Sequence, residues 1–315
     1  MKKKFTIPDS LSRLLAIVII SIGLSIAAPN FLTVNNILNI FNQASMNVFI
    51  AIGMMMTMLI AGIDLSVGSV VALSSVVAAP FFFSDSIASI GVGILVALAI
   101  GLICGLVNGS LVAYFNLPAF LVTFGVSQVA RGISYLMMNG KVYNGFSKTF
   151  KVIGKARLIG KIQMPILIML VCMLLMSIFL KKSNLGRKIY TTGANPSAAR
   201  YSGINVRRVT MLCYAMSGLF AALAGVIWIS RLDAAEATIG ASYANDAIAA
   251  AAIGGISFSG GRGKVVGTLL GAVLLTLIKN GMNQLGIPTE YQKLVTGGVI
   301  IIAVLIDRKS AKLSR

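Results

Sequence analysis

Apolar residues along this chain fall into long uninterrupted runs, separated by short polar or basic clusters. A helix needs about 20 apolar residues to cross a hydrocarbon core roughly 30 Å thick. Runs of that order occupy 11–28, 37–60, 67–83, 87–114 and 120–138, and they resume at 165–180, 209–229, 244–256, 265–278 and 294–306. Pro29-Asn30 closes the first run, and Asn116-Leu117-Pro118 breaks the chain before the fifth. A hydrophilic stretch, 139–163, separates the two groups. Segment 244–256 is short and carries glycine, so it either crosses or enters without crossing. The pattern predicts an all-α polytopic membrane protein with about ten transmembrane helices, some broken or short. Residues 1–315 then form one transmembrane domain.

Composition agrees: 57% of the 315 residues are hydrophobic and only 11% are charged. A soluble fold of this size requires more polar surface, so lipid must cover much of it. The net charge of +19 is not gathered into a nucleic-acid patch. Lys2, Lys3, Lys4 and Arg13 lie at the start, a basic loop without acidic residues spans 181–208, and Arg308, Lys309, Lys312 and Arg315 lie at the end. Cytoplasmic loops retain Lys and Arg, so both termini and the 181–208 loop are assigned to the cytoplasm. Asp85, Asp233, Glu236 and Glu290 then fall outside. Lys141, Lys148, Lys151, Lys155, Arg157 and Lys161 break the rule, because ten crossings put them outside as well. Lys2 to Lys4 before an apolar run also resemble a secretory signal, although the spans that follow at once favour a retained helix.

Several chemistries lack their parts. There is no histidine, and Cys104, Cys172 and Cys213 each sit inside an apolar run, which argues against a disulfide framework, a metal site or a cofactor. An intramembrane hydrolase needs a nucleophile with a base or paired carboxylates, and few acids lie at membrane depth. The glycine-rich 259–265 run ends in Gly263-Lys264, but Phe258 stands where a phosphate loop needs Gly and Val265 where it needs Ser or Thr. No ATPase site of its own is therefore expected. An ion-coupled secondary transporter, with Asp64 as proton carrier, remains the alternative to a transporter driven by a partner.

The 181–208 loop contains Asn195-Pro196-Ser197-Ala198-Ala199-Arg200-Tyr201-Ser202-Gly203. An N-cap residue, proline at the first helical position and glycine past the end predict a helix of about two turns over 196–202. It either tidies a connection or couples the chain to a cytoplasmic motor through Asn195, Pro196, Ala199, Arg200 and Gly203.

Four stretches resemble, in order, the ribose-type permeases of ABC transporters, a family that also serves xylose, galactose and allose. They are Ala61-Gly62-Ile63-Asp64-Leu65-Ser66-Val67-Gly68-Ser69, then Pro118-Ala119-Phe120-Leu121-Val122-Thr123-Phe124-Gly125. The third runs from Gly186-Arg187-Lys188-Ile189-Tyr190 to Val206, and the fourth from Asp246-Ala247-Ile248-Ala249 through Gly260-Gly261-Arg262-Gly263. The resemblance implies a monosaccharide importer in the bacterial inner membrane. It also implies an ATPase with two fused nucleotide-binding domains inside, a sugar-binding protein outside and a second permease copy forming a homodimer. The basic residues 141–161 would then help dock the binding protein, with Lys148, Lys151, Lys155 and Lys161 steering it.

A sugar offers hydroxyls and a weakly apolar ring face, so a path for it needs amides, hydroxyls and an aromatic. Asn47, Asp64, Asn108, Phe120, Thr123 and Asp246 are the candidates. Asp64 either faces a wet cavity or caps the third span. Thr123, Ser127 and Arg131 share one helical face, as do Gln43 and Asn47, and such stripes either join helices or line a path. Asn108-Gly109 before Pro118 resembles Asn280-Gly281 before Pro288, which reads equally as chance or as duplication.

Overall fold

A computed structural model describes residues 9–28 and 30–313. Lys2, Lys3, Lys4, Pro29 and Arg315 lie outside the described residues. All ten apolar runs are helical. They form α1 (Asp9–Ala27), α2 (Val34–Met58), α3 (Val67–Ala78), α4 (Ile87–Ala113), α5 (Ala119–Met138), α7 (Met164–Lys182), α10 (Val206–Leu232), α11 (Tyr243–Ile253), α12 (Val265–Gln284) and α13 (Thr289–Leu313). A 3₁₀ turn, Ala79–Phe82, extends α3. Among the described residues, six helices are long and apolar enough to cross a membrane: α2, α4, α5, α7, α10 and α12.

The two stretches between the apolar runs fold as well. In 139–163, α6 (Lys148–Lys155) is capped by Ser147, whose hydroxyl accepts the Phe150 amide at 3.2 Å. Tyr143–Asn144 (β1) pairs antiparallel with Ala234–Ala235 (β4), and Arg157–Ile159 (β2) with Ile162–Gln163 (β3). Phe150 stacks on Phe82 with centroids 3.8 Å apart, and the Ser230 hydroxyl donates to the Phe150 carbonyl at 2.7 Å. This stretch is therefore a docked cap. In the basic loop, α8 (Asn184–Ala194) precedes α9 (Pro196–Tyr201).

α2 and α10 form the centre of the bundle and pack against each other. α10 also packs on α3 and α4, and α2 packs correspondingly on α11 and α12. α3 contacts α4 and α5 as α11 contacts α12 and α13. Helices α2–α5 and α10–α13 are thus two copies of one arrangement: a long central helix, a short one and two further long ones. α10 starts beside α9 and ends at Asp233, whose carboxylate accepts the Phe146 amide of the cap at 2.8 Å. α2 ends at the α9 side instead, where the Leu59 carbonyl accepts the Gly261 amide at 2.9 Å. The central helices run in opposite directions, so the halves are inverted repeats, a common construction among transporters. The two Asn-Gly pairs fall near the ends of α4 and α12, and Pro118 and Pro288 directly precede α5 and α13. The two motifs thus occupy corresponding positions in the two halves.

Candidate functional site

The site is built around the interruption between α2 and α3. Ala61 adopts φ +59°, a conformation costly for a residue with a Cβ. Gly62 follows because a Cβ there would lie 2.4 Å from the Tyr214 hydroxyl. Asp64 is 1% exposed. Its Oδ1 accepts the Ser66 amide at 2.9 Å, the Ser66 hydroxyl at 2.6 Å and Asn108 Nδ2 at 3.4 Å. Its Oδ2 accepts the Ser217 hydroxyl at 2.7 Å. Asn108 also donates to the Ser66 hydroxyl at 2.8 Å. The carboxyl group therefore ties α4 and α10 to the start of α3, supplying the partners that interrupted backbone needs at membrane depth.

α5 closes the other side. The Thr123 hydroxyl accepts the Leu65 amide at 3.1 Å and lies 3.3 Å from the Ile63 carbonyl. Ser127 and Ser69 share a hydrogen bond of 2.8 Å. Arg131 donates to the carbonyls of Ala237 and of Ile239, the latter at 2.7 Å. The Thr123, Ser127 and Arg131 stripe thus binds α5 to the interruption, to α3 and to the 233–242 loop.

Asn47 and Asp246 lie apart from this group, whereas Phe120 stands one turn before Thr123 on α5. Asn47 donates to Thr276 of α12 at 2.9 Å. Asp246 sits in the first turn of α11, 2.5 Å from Lys279 of α12. The Asp246–Lys279 contact joins α11 to α12, much as the Asp64–Asn108 contact joins the start of α3 to α4. Phe120 is 56% exposed on α5, stacked against Phe124 at 6.4 Å.

The coupling candidates form one device. The Asn195 side chain accepts the Ala198 amide at 3.0 Å, Pro196 opens α9, and Gly203 follows it at φ +76°. Ala199 is fully buried, whereas Arg200 is exposed. At this end three backbones converge. A Cβ on Gly193 would lie 1.7 Å from the Leu59 carbonyl and 2.6 Å from the Gly261 amide. Tyr190 donates to the Gly263 carbonyl at 2.8 Å. The basic loop, the end of α2 and the α11–α12 connection are therefore interlocked. A cavity of about 160 Å³, lined by Gly62, Asn116, Arg200, Arg207 and Tyr214 among others, lies between α9 and the interruption.

Sequence reasoning passed over Ser66, Tyr190, Gly193 and Ser217 as site residues. Ser183, which caps α8 by accepting the Gly186 amide at 2.9 Å, was a readable local signal. Ser217 had none, since its role depends on a partner 153 positions away.

Inverted repeats, short interrupted helices and a structured loop beside the interruption define a multi-pass membrane transport subunit. The chain belongs to the family described as branched-chain amino acid transport system / permease component, whose model matches residues 36–304. It is 41% identical to the ribose import permease protein of Escherichia coli strain K12 over 304 residues, covering 94% of this chain and 92% of the relative. It is 39% identical to the D-allose transport system permease protein of the same strain over 302 residues, covering 95% and 91%. The galactose/methyl galactoside import permease protein of Salmonella typhimurium strain LT2 is 34% identical over 295 residues, covering 89% and 88%. No solved structure matches the chain.

Proposed function

We propose that this chain is the membrane-spanning permease of an ABC importer that carries a monosaccharide across the bacterial inner membrane. The observation that carries the reading is the 41% identity to a ribose import permease over nearly the full length of both chains. The family description speaks of branched-chain amino acids, but the full-length relatives named above are sugar permeases, and the reading follows them. A separate ATPase with two fused nucleotide-binding domains supplies the energy, and an extracytoplasmic binding protein delivers the sugar. A second copy of the chain completes a homodimer. The chain has no ATPase site of its own.

About ten helices, some of them broken or short, traverse the membrane, the 181–208 loop and both termini face the cytoplasm, and α9 docks into the ATPase. The opposite directions of α2 and α10 support this arrangement, as does the separation of cap and basic loop by the length of α7. Asn47, Asp64, Asn108, Thr123 and Asp246 shape the path by holding its helices in register, and exposed Phe120 offers a ring face to the sugar. Lys148, Lys155 and Lys161 are exposed on the cap and steer the binding protein, whereas Lys151 is engaged with Asp233.

Reconstitution tests the reading. Proteoliposomes holding permease, ATPase and binding protein are expected to accumulate ribose, allose or galactose only with ATP on the ATPase side, and uncouplers leave uptake unchanged. Accumulation driven by a proton gradient without the ATPase would overturn it.

A further inference from the structure

A cavity of about 400 Å³ opens at the cap end of the bundle, between the end of α10, the 233–242 loop and the first turns of α13. That volume is within the roughly 300–1,000 Å³ typical of small-molecule sites. Trp228 and Tyr243 line it, their rings nearly perpendicular at 80° with centroids 5.4 Å apart. The indole Nε1 of Trp228 is buried without a hydrogen-bond partner, so it is the rest of the residue, not this N–H, that borders the cavity. Glu236, Thr238, Ser242 and Lys293 also line the cavity, placing hydroxyl, carboxyl and ammonium groups near the aromatic pair.

The loop forming this cavity is held in place from two sides. Arg131 clamps the carbonyls of Ala237 and Ile239. Gly240, at φ +78°, packs so closely on Gly68 that a Cβ on Gly68 would lie 2.1 Å from the Gly240 carbonyl oxygen. A wall fixed in advance loses little freedom when a ligand arrives. Tyr243 also stands three residues before Asp246, so the cavity adjoins the Asp246–Lys279 ion pair between α11 and α12.

We propose that this cavity is a first-contact site for a monosaccharide on the face where the binding protein releases it. An aromatic face covers the apolar side of a sugar ring, hydroxyl and ammonium groups donate to ring or hydroxyl oxygens, and a carboxylate accepts from hydroxyls. The assignment rests on the importer reading for its substrate class, but the cavity is tested separately.

Trp228 is the only tryptophan in the chain, so intrinsic fluorescence reports from the cavity itself. Purified permease in nanodiscs, without ATPase or binding protein, is titrated with D-ribose, D-allose and D-galactose, with sorbitol and L-leucine as controls. A saturable change in Trp228 emission with at least one sugar and with neither control is expected. Glu236→Gln should raise the half-saturating concentration about tenfold, the loss of a charged hydrogen bond, while the variant still co-purifies with the ATPase. Tyr243→Phe should retain the response and Tyr243→Ala lose most of it. No saturable response to any of the three sugars overturns the proposal, as does an equal response to leucine. ATP-driven sugar uptake by the complete transporter without a Trp228 response removes this site and leaves the importer reading intact. A sugar-specific response without such uptake keeps the site and removes that reading.

Discussion

The hydroxyl of Ser217, in the middle of α10, donates to Oδ2 of Asp64 at 2.7 Å, tying the centre of one repeat to the interruption of the other. The second oxygen of Asp64 is held by Ser66 and Asn108. One carboxyl group therefore locks three helices, and its chemistry is visible only through partners drawn from both halves of the chain.

Asp64→Ala leaves the Ser66, Ser217 and Asn108 donors without their acceptor, at about 1–3 kcal/mol for each group that finds no other partner. Thermal unfolding in detergent is expected to drop by several degrees, and uptake to fail with it. Asp64→Asn keeps an acceptor and the side-chain shape, so its loss is smaller. An Asp64→Ala protein with unaltered unfolding would refute the locking role.

Gly193→Ala places a methyl group into the Leu59 carbonyl and the Gly261 amide. Both obstacles are backbone, so relief requires α8 to shift away from the end of α2. Reduced stability together with reduced uptake is expected. Gly125→Ala and Gly132→Ala, whose added carbons meet nothing within 4 Å, serve as controls and should behave as wild type.

Ala199→Pro removes the amide that donates to the Asn195 carbonyl at 3.0 Å and puts a ring into a buried position. Proline in a helix interior costs about 3 kcal/mol or more. Membrane insertion should persist while co-purification with the ATPase is lost. Asn195→Ala removes only the cap, worth about 1 kcal/mol, and a partial loss is expected. Full ATPase binding by the proline variant would contradict docking through α9.

The cap should be sensitive to acid alone. Burial pushes the Asp233 carboxyl up, but the Lys151 ammonium, the Phe146 amide and the charges of Lys151 and Lys155 outweigh it and hold the carboxyl below the ordinary range. The amide and hydroxyl of Thr149 lower Asp85 in the same direction. A carboxyl depressed in the folded state stabilises above its unfolded pKa, about 3.9, and that contribution is lost as pH falls through the folded value. Hydrogen exchange of amides 146–155 should thus be protected evenly between about pH 5 and 8 and lose protection below about pH 4. Asp233→Asn should weaken protection at neutral pH and blunt the acid step. A protection change centred near neutrality would show that other groups control the cap.

Single cysteines in a background lacking Cys104, Cys172 and Cys213 test the topology. At exposed Lys155 an impermeant thiol reagent should label from outside intact cells, and at exposed Arg200 only after the cytoplasmic face is opened. Labelling of both from the same side would dispose of the ten-span arrangement.

The apolar runs specified the helices directly, because a lipid-spanning segment must satisfy its own backbone and reveals itself by length and composition. The α9 helix was equally legible, since Asn195, Pro196 and Gly203 act within one or two turns of each other. The cap was less so: half of α6 is polar, and what makes it a folded element is the stacking of Phe150 on Phe82 and the Lys151–Asp233 contact, both across long separations. The candidate path residues were recognisable as polar groups in apolar helices, but their partners were not.

Sequence alone therefore determined that this is a polytopic helical membrane protein with a basic, capped loop, because hydropathy, charge and capping are local properties. Tertiary structure decided that two halves are inverted copies and that Asp64 is saturated by Ser66, Asn108 and Ser217. It also decided that Gly193 locks the basic loop to the end of α2, and that Trp228 and Tyr243 line a cavity at the cap end. Each of these depends on which helix faces which, and helix facing is set by close packing between distant segments that no local pattern encodes.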